Sequence, residues 1–326
     1  MKIAVVILNW NGKELLEQFL PSVVAYSQNA DIYVADNAST DNSVEFLKTE
    51  YPNIKVIVNS TNGGYAKGYN DALNTIDADV FCLLNSDVEV TPNWLTPIQE
   101  AFSNDKNIAI AQPKILDYKQ KDHFEYAGAA GGYLDKYGYP FCRGRIFNTL
   151  EKDNGQYNDI ATIFWATGAC LFIKRSVFGE LNGFDEDFFA HMEEIDLCWR
   201  AYNKGYTTKY IGTSSIYHVG GATLKNSNAK KTYLNFRNSL YTLVKNAHGS
   251  IIPKVFTRLL LDGIAGIKFL LEFKPQHFLA IIKAHFAFYA KLPKLLKFRN
   301  SQKKKENYYH KKSIVWSYYV NKNKRF

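Results

Sequence analysis

The sequence predicts an α/β fold, a doubly wound, mostly parallel sheet flanked by helices, followed by a helical, basic extension. Three observations carry this. Residues 2–115 alternate short β-rich runs with helical patterns, which is the rhythm of βαβ units joined by right-handed crossovers. One run, FCLL at 81–84, is continuously apolar, as a strand buried on both faces must be, and it stops abruptly at Asn85-Ser86-Asp87. Charge is also segregated: residues 250–326 hold 17 Lys+Arg against 3 Asp+Glu, and residues 1–249 hold 23 against 28. The overall balance of +9 therefore belongs to the tail, which points to an anionic surface as partner for that segment alone.

The elements follow in order. KIAVVIL reads as a first strand, since its apolar run is too short for a secretion signal and lacks a small-residue cleavage site. Asn11-Gly12 marks the turn into a helix at KELLEQFL. IYVAD and VEFLKTEY form the next pair, with Ser39 or Asp41 as cap, then KVIVN and YAKGYNDALNTI, then DVFCLL and a helix at NWLTPIQEAF with Pro92 in its first turn, and IAIAQPKI closes the series. Residues 116–160, rich in Gly, Tyr and Asp, read as loops and short strands crossing one face, where acceptor specificity is commonly carried. Order returns at FWATGACLFIK, a helix start after Lys174, an acidic segment, a helix through IDLCWRAYNKG ended by Gly205, and a strand or turn at IYHVGG.

From residue 251 the pattern is helical. Lys254, Arg258, Asp262, Lys268 and Glu272 share one side of a helical wheel and leave a broad apolar remainder, and FLAIIKAHFAFYAKLPKLLKF is apolar with lysines at intervals. Such helices either pack on the preceding domain or lie in a membrane interface. No apolar window is long enough for a membrane span. Cys82, Cys142, Cys170 and Cys198 lie far apart, three of them in apolar runs, as buried free thiols in a reducing cytosol do. No nucleic-acid module is present, so no nucleic acid is expected as partner.

Several residues carry chemistry. Asp36 closes the second strand, where a carboxylate can accept hydrogen bonds from a base imide or a ribose hydroxyl, or cap the following turn. Asn62-Gly63-Gly64 joins a strand to a helix without either a Walker pattern or a three-glycine dinucleotide fingerprint. Asn85 and Asp87, two positions apart on an extended segment, present oxygen ligands suited to Mg²⁺ or Mn²⁺ held against substrate phosphates. Glu193, Glu194 and Asp196, preceded by Asp185, Glu186 and Asp187, crowd carboxylates at a helix start, which either favours the helix dipole or raises a pKa toward that of a general base. His218, at a strand end before glycines, is a candidate metal ligand.

Taken together, VVILNWNG, VADNASTDNS, NGGYAKGYN, LLNSDVEV, ATGACLFIKRSVF, GFDEDFFAHMEEIDLCWRAYNKGY, YHVGGATL and YLNFRNSLY resemble the family-two, GT-A-fold glycosyltransferases, especially the bacterial rhamnosyltransferase-like branch that builds surface polysaccharides. The resemblance covers residues 2–246. It implies a catalytic domain over 1–249, with a nucleotide-binding half at 1–115 and an acceptor and catalytic half at 116–249, and an extension over 250–326. It implies inverting transfer from a nucleotide-diphosphate sugar, a UDP- or dTDP-sugar such as dTDP-rhamnose, to a glycan or lipid-linked acceptor, with Mg²⁺ or Mn²⁺, at the inner face of the cytoplasmic membrane. By similarity Asp36 contacts the base. Asn9, Asn37, Asn62, Gly63, Gly64, Asn70 and Asn85 line the donor site, and Asp87 and His218 hold the metal. Trp165, Thr167 and Gly168 border the acceptor, and the acidic pair falls on Glu193 and Glu194, with Asp196 two residues on. The chain departs from the family pattern at Asn85 and Glu194, where relatives carry Asp. The base is therefore open between Glu194 and Glu193, and a nucleotide-sugar-binding scaffold without turnover is the alternative reading.

Overall fold

The computed structural model describes residues 1–220 and 228–326. The first strands, β1 (Ile3–Asn9), β2 (Asp31–Asp36), β3 (Lys55–Val58) and β4 (Val80–Asn85), pair in parallel in the order β4-β1-β2-β3. Helices α1 (Lys13–Tyr26), α2 (Ser43–Glu50) and α3 (Gly64–Leu73) connect them, as the alternation predicts. Asn42 occupies the cap position of α2 without a side-chain cap bond, and Asp41, one residue earlier, accepts from the Ser43 amide at 3.1 Å. After β4 come β5 (Val88–Val90), α4 (Thr96–Asn104) and β6 (Ile108–Asp117). Pro92 does not open that helix. It lies in the turn before it, and Pro97 takes the early-helix position where a missing N–H costs nothing.

Residues 118–160 include a separate antiparallel sheet of β7 (Gly132–Leu134), β8 (Pro140–Cys142), β9 (Arg145–Ile146) and β10 (Thr149–Leu150). The main sheet is completed by β11 (Ile160–Ile163), β12 (Cys170–Lys174) and β13 (Thr207–His218), giving the order β11-β13-β6-β12-β4-β1-β2-β3, with β5 paired to β13. The antiparallel β12 sits between β4 and β6, so the parallel run is interrupted at its centre. Six strands share one direction, and β12, β11 and β5 oppose them.

Both faces of the sheet are covered. One apolar cluster joins Val5, Ile7, Leu84 and Phe172 to Leu16, Leu20, Ile98 and Phe102 of α1 and α4. The other joins Val6, Leu83 and Leu171 to Tyr69 of α3 and to Ile195 and Trp199 of α6 (Glu193–Asn203), which follows α5 (Arg175–Glu180). The same cluster continues into α7 (Ala229–Asn246) through Leu240 and Val244, and into the extension through Phe288, Leu295 and Tyr308. Each of those aromatic side chains removes about 150–250 Å² of surface from water, so the last helices share the core of the sheet. The extension comprises α8 (Ile252–Leu271), α9 (Pro275–Ser301) and α10 (Ile314–Tyr319). All four cysteines are buried free thiols. Among the described residues no helix is long and apolar enough to cross a membrane.

Candidate active site

Register decides which side chains meet. Asn9 lies opposite Asp36 across β1 and β2, and Asn85 lies opposite Leu8 across β1 and β4, so the polar residues ending three apolar strands share the carboxyl edge of the sheet. That edge is where an open α/β sheet forms its ligand crevice. Because β12 runs antiparallel, its beginning lands there too: the Asn85 amide donates to the Ala169 carbonyl at 3.0 Å, next to Gly168 and Thr167. β13 brings His218 to the same edge, with the Val219 amide donating to the Asp87 carbonyl at 3.1 Å.

At the ends of β1 and β2, Asp36 is buried and accepts from Asn9 Nδ2 at 3.1 Å and from the Ser39 amide at 2.9 Å. Asn9 Oδ1 is buried without a partner, an acceptor left over at the floor of the crevice. Asn37 works as a brace, donating to Asn62 Oδ1 (2.9 Å) and the Gly64 carbonyl (3.1 Å) and accepting from Asn59. Asn62 Oδ1 also accepts from the Gly64 amide at 3.0 Å. Asn70 reaches the other way, accepting from the Phe184 amide and donating to the Phe184 carbonyl, which ties α3 to the acidic segment. The structure thus gives Asn37, Asn62 and Asn70 wall-building hydrogen bonds within the chain.

Gly64 has φ +80°, and a Cβ there would lie 2.3 Å from the Phe189 carbonyl oxygen. Strain and collision coincide, so Gly64→Ala is expected to cost roughly 2 kcal/mol or more, read as a lower urea midpoint at unchanged slope. A midpoint equal to wild type would show that the Phe189 loop yields freely.

Where β4 and β13 end, Asp87 Oδ1 lies 3.1 Å from His218 Nε2, and Glu125 Oε2 lies 3.2 Å from His218 Nδ1, all three side chains buried. The Glu125 contact is close but out of line for a hydrogen bond. Burial disfavours a charged imidazole, yet the two carboxylates outweigh it and push His218 up to about 10. Burial likewise opposes ionisation of Asp87, and the His218 contact overcomes it, holding the carboxyl below its ordinary range. A proton on His218 therefore balances two buried acids, in the position a cation would fill. Asn85 Nδ2 is 3.4 Å from the same ring nitrogen. Among the described residues no group of three or more His, Cys, Asp or Glu side chains is arranged to hold a metal ion. The donor set of one carboxylate and one imidazole fits a Mg²⁺ or Mn²⁺ ion that takes its remaining ligands from diphosphate and water.

The acidic pair opens α6 after a strained approach: Phe189, His191 and Met192 all have positive φ, at 63°, 69° and 72°. Asn238 of α7 holds this turn, its Nδ2 donating to the carbonyls of Phe188 (3.0 Å), Ala190 (2.9 Å) and His191 (2.7 Å). Glu193 is buried with Oε2 unpartnered, and burial together with the neighbouring Glu194 charge pushes its pKa well up. Glu194 is half-buried and raised by desolvation to about 7. Asp196 is different. It is fully buried against Arg200 (2.7 Å), Lys245 (2.9 Å) and Asn246 (2.8 Å), and although burial opposes its charge, those cations hold it below the ordinary range. The structure makes it the anchor of α6 to α7.

Of the three residues expected at the acceptor, Trp165 is buried and donates from Nε1 to the Tyr133 carbonyl at 3.0 Å, and Thr167 is buried and accepts from the Ala169 amide. Gly168 stays partly exposed, its carbonyl accepting from Tyr65 OH at 2.9 Å. Sequence reasoning missed Glu125, Arg145 and Asn238. Arg145 is buried with Nε unpaired, its guanidinium 4.4 Å from the Tyr126 ring centroid and its Nη2 3.4 Å from Cys142 Sγ. Burial raises the Cys142 thiol, with smaller contributions from the Glu125 and Glu194 charges. Glu125 and Arg145 lie in the aperiodic excursion, where only their charge inside an apolar stretch could have marked them.

Residues 4–181 match the family model for glycosyl transferase family 2. The chain belongs to this family. As a family-two glycosyltransferase it is 27% identical over 235 residues to an N-acetylglucosaminyl-diphospho-decaprenol L-rhamnosyltransferase of Mycobacterium tuberculosis, covering 66% of this chain and 75% of that one. Among solved structures it is similar to Staphylococcus aureus TarS 1-349 in complex with UDP-GlcNAc (TM-score 0.55, 16% identity, 92% of this chain and 90% of that one). It is also similar to the Pyrobaculum calidifontis mannosyltransferase PcManGT with GDP-Man and Mn²⁺ (TM-score 0.54, 12% identity, 88% and 86%). These structural likenesses establish the GT-A fold for the family-two glycosyltransferase. Gly221, Ala222, Thr223 and Leu224 of its YHVGGATL motif lie outside the described residues.

Proposed function

We propose that the protein transfers a glycosyl group, with inversion, from a nucleotide-diphosphate sugar to a hydroxyl of a glycan or lipid-linked acceptor, and that Glu194 is the base. The observation that supports this reading is a half-buried carboxylate in the first turn of α6, beside the buried and unpartnered Glu193, where desolvation raises its proton affinity toward that of a working base. Glu193 is buried more deeply, and burial with the neighbouring Glu194 charge pushes it up as well, so the two carboxyls titrate as a coupled pair of which Glu194 is the more exposed member.

In the proposed reaction Glu194 takes the proton of the acceptor hydroxyl, and that oxygen forms a bond to the anomeric carbon from the face opposite the diphosphate. The bond from the anomeric carbon to the diphosphate oxygen breaks, its electron pair leaving on the nucleotide. One displacement inverts the centre. Asp87 and His218 would hold a divalent ion, which when bound supplies charge neutralisation for the leaving diphosphate. Asp36 and Asn9, at the ends of β2 and β1, would meet the nucleoside, and the Asn37-Asn62-Gly64 brace would keep its pocket from collapsing. The relative named as an N-acetylglucosaminyl-diphospho-decaprenol L-rhamnosyltransferase supports a deoxyhexosyl donor such as dTDP-rhamnose and a lipid-linked acceptor. The basic extension supports docking on the anionic inner face of the cytoplasmic membrane, beside such an acceptor.

The test is a thermal-shift screen of UDP-, dTDP- and GDP-sugars with Mg²⁺ or Mn²⁺, followed by assay of nucleotide release with the donor that binds. One donor is expected to raise the melting temperature in a metal-dependent way, because ligand binding to the native state adds stability by mass action. Asp87→Ala should abolish the metal-dependent part of that shift. An unchanged shift in Asp87→Ala would remove that residue from the metal site. A wild-type protein that binds donor but never releases nucleotide, whatever the acceptor, would instead be a sugar-nucleotide-binding scaffold.

A further inference from the structure

Helix α8 is inside out. Its buried residues are Lys254, Arg258, Asp262 and Gly266, three of them charged, while Phe256, Leu260 and Ile264 are 62%, 56% and 63% exposed. Those three are spaced four residues apart, as are exposed Ile252 and, one turn on, Ile267 and Leu271, so they form one continuous side of the helix. The inward polar side has a specific seat: Asp262 accepts from Tyr139 OH at 3.2 Å and lies 3.3 Å from His285 Nε2, and Arg258 donates to Ser239 Oγ at 2.6 Å and stacks 3.8 Å from the Tyr139 ring. Helix α9 packs beside it, with the Phe278 ring 3.0 Å from where a Gly266 Cβ would stand. Its Leu279, Ile282, Phe286 and Tyr289, spaced by three and four, extend the same exposed apolar side. At the turn between the helices Phe273 is 92% exposed.

A face this apolar on a water-exposed helix costs free energy unless something covers it. The charge pattern says what. Exposed Lys268, Lys274 and Lys283 rim the hairpin, the first two sharing Glu272 at 3.8 and 2.9 Å so that the rim keeps a net positive charge, and Trp316 and Tyr319 of α10 stand at its edge, the Tyr319 ring 5.8 Å from Lys268 Nζ. A second copy of this chain would bring two cationic rims together, whereas an anionic lipid surface complements them. We propose that the α8–α9 hairpin lies in the headgroup layer of an anionic bilayer with Phe256, Leu260, Ile264 and Phe273 set into the acyl region. The inference rests on the membrane-docking reading of the extension and adds the buried face and its mode of insertion. Lys291 and Lys294 of α9 pair with Asp187 at 2.8 and 2.6 Å, so the hairpin is joined directly to the segment that leads into Glu193 and Glu194.

Flotation of the full chain with vesicles of phosphatidylcholine and phosphatidylglycerol, at low and at high salt, tests this. Wild type is expected to float in both, because apolar insertion survives screening while surface attraction does not. Combined Phe256→Ser, Leu260→Ser and Ile264→Ser should reduce the bound fraction by about tenfold or more in both salts, with the nucleotide-sugar thermal shift retained. Should that variant fail to fold, Phe273→Asn is the second probe, since the positive φ of 57° at this position suits asparagine and the side chain packs on nothing. A variant that floats like wild type overturns the insertion, and so does wild-type binding that disappears at high salt, which would leave electrostatic docking intact. Absence of flotation in either salt overturns both membrane readings and leaves the donor-binding test of the proposed function untouched. A dimer in lipid-free solution that the triple variant dissolves would assign the face to a second copy and overturn the proposal.

Discussion

Glu194→Gln is expected to lower the transfer rate by roughly 10²–10⁴-fold while leaving donor binding close to wild type, because the amide keeps the shape of the side chain and cannot accept the acceptor's proton. The pH dependence separates this role from a structural one. With the carboxyl raised to about 7, the wild-type rate should rise about tenfold per pH unit on the acid side and level off near neutrality, and the variant's residual rate should lack that limb. Stability moves in the opposite sense. Between the ordinary carboxylate range and about 7 the folded chain holds a proton that the unfolded chain has released, so folding stability falls as pH rises through that window. Glutamine has no such charged form to bury. The variant should therefore melt above wild type at about pH 8, and the difference should shrink at about pH 4.5, where the folded wild type is protonated and the unfolded chain is about half protonated. Calorimetry at the two pH values measures it. A variant that retains the acid limb would transfer the base role to Glu193.

Much of this site was legible because the sheet edge is written in simple terms: an apolar run that stops at a polar residue is a strand end, and Asn9, Asp36 and Asn85 all mark one. Strand direction is not written there. The antiparallel entry of β12 between β4 and β6 depends on the path taken by residues 118–169, and a period of two reads the same in either direction. Asp196 was grouped with Glu193 and Glu194 by proximity in the chain, although Arg200 four residues on was the available sign of an internal ion pair. Glu125 was hidden because its partners, Asp87 and His218, come from segments that only the fold brings together. The polar stripe of α8 was visible, but a helical wheel assigns charges to water by default. Its inward direction is set by Tyr139 and Ser239, from a distant loop and another helix.

Asn238→Ala should have the largest effect of any change made outside the reacting groups. One amide group restrains the carbonyls of Phe188, Ala190 and His191 in a turn whose Phe189, His191 and Met192 hold positive φ, a conformation that costs about 1–2 kcal/mol per residue for side chains of this kind. Removing it takes a donor from the half-buried Ala190 and His191 carbonyls and frees the turn to relax, with an expected loss of about 1–3 kcal/mol in urea denaturation. Asn238→Asp should be no better, since a carboxylate keeps the shape but can donate nothing to a carbonyl. Arg237, which also donates to the Asp187 and Phe188 carbonyls, keeps part of the turn in place, so the variant should still fold. The consequence for function follows from desolvation. Glu194 owes its raised pKa to burial, and a turn that opens admits water to it, so the acid limb of the rate profile should slide from about 7 toward the ordinary carboxylate range as the maximal rate falls. A purely structural role would reduce stability and leave the limb in place when activity is measured well below the melting temperature. An unmoved limb in the folded variant would therefore show that the clamp does not position the base.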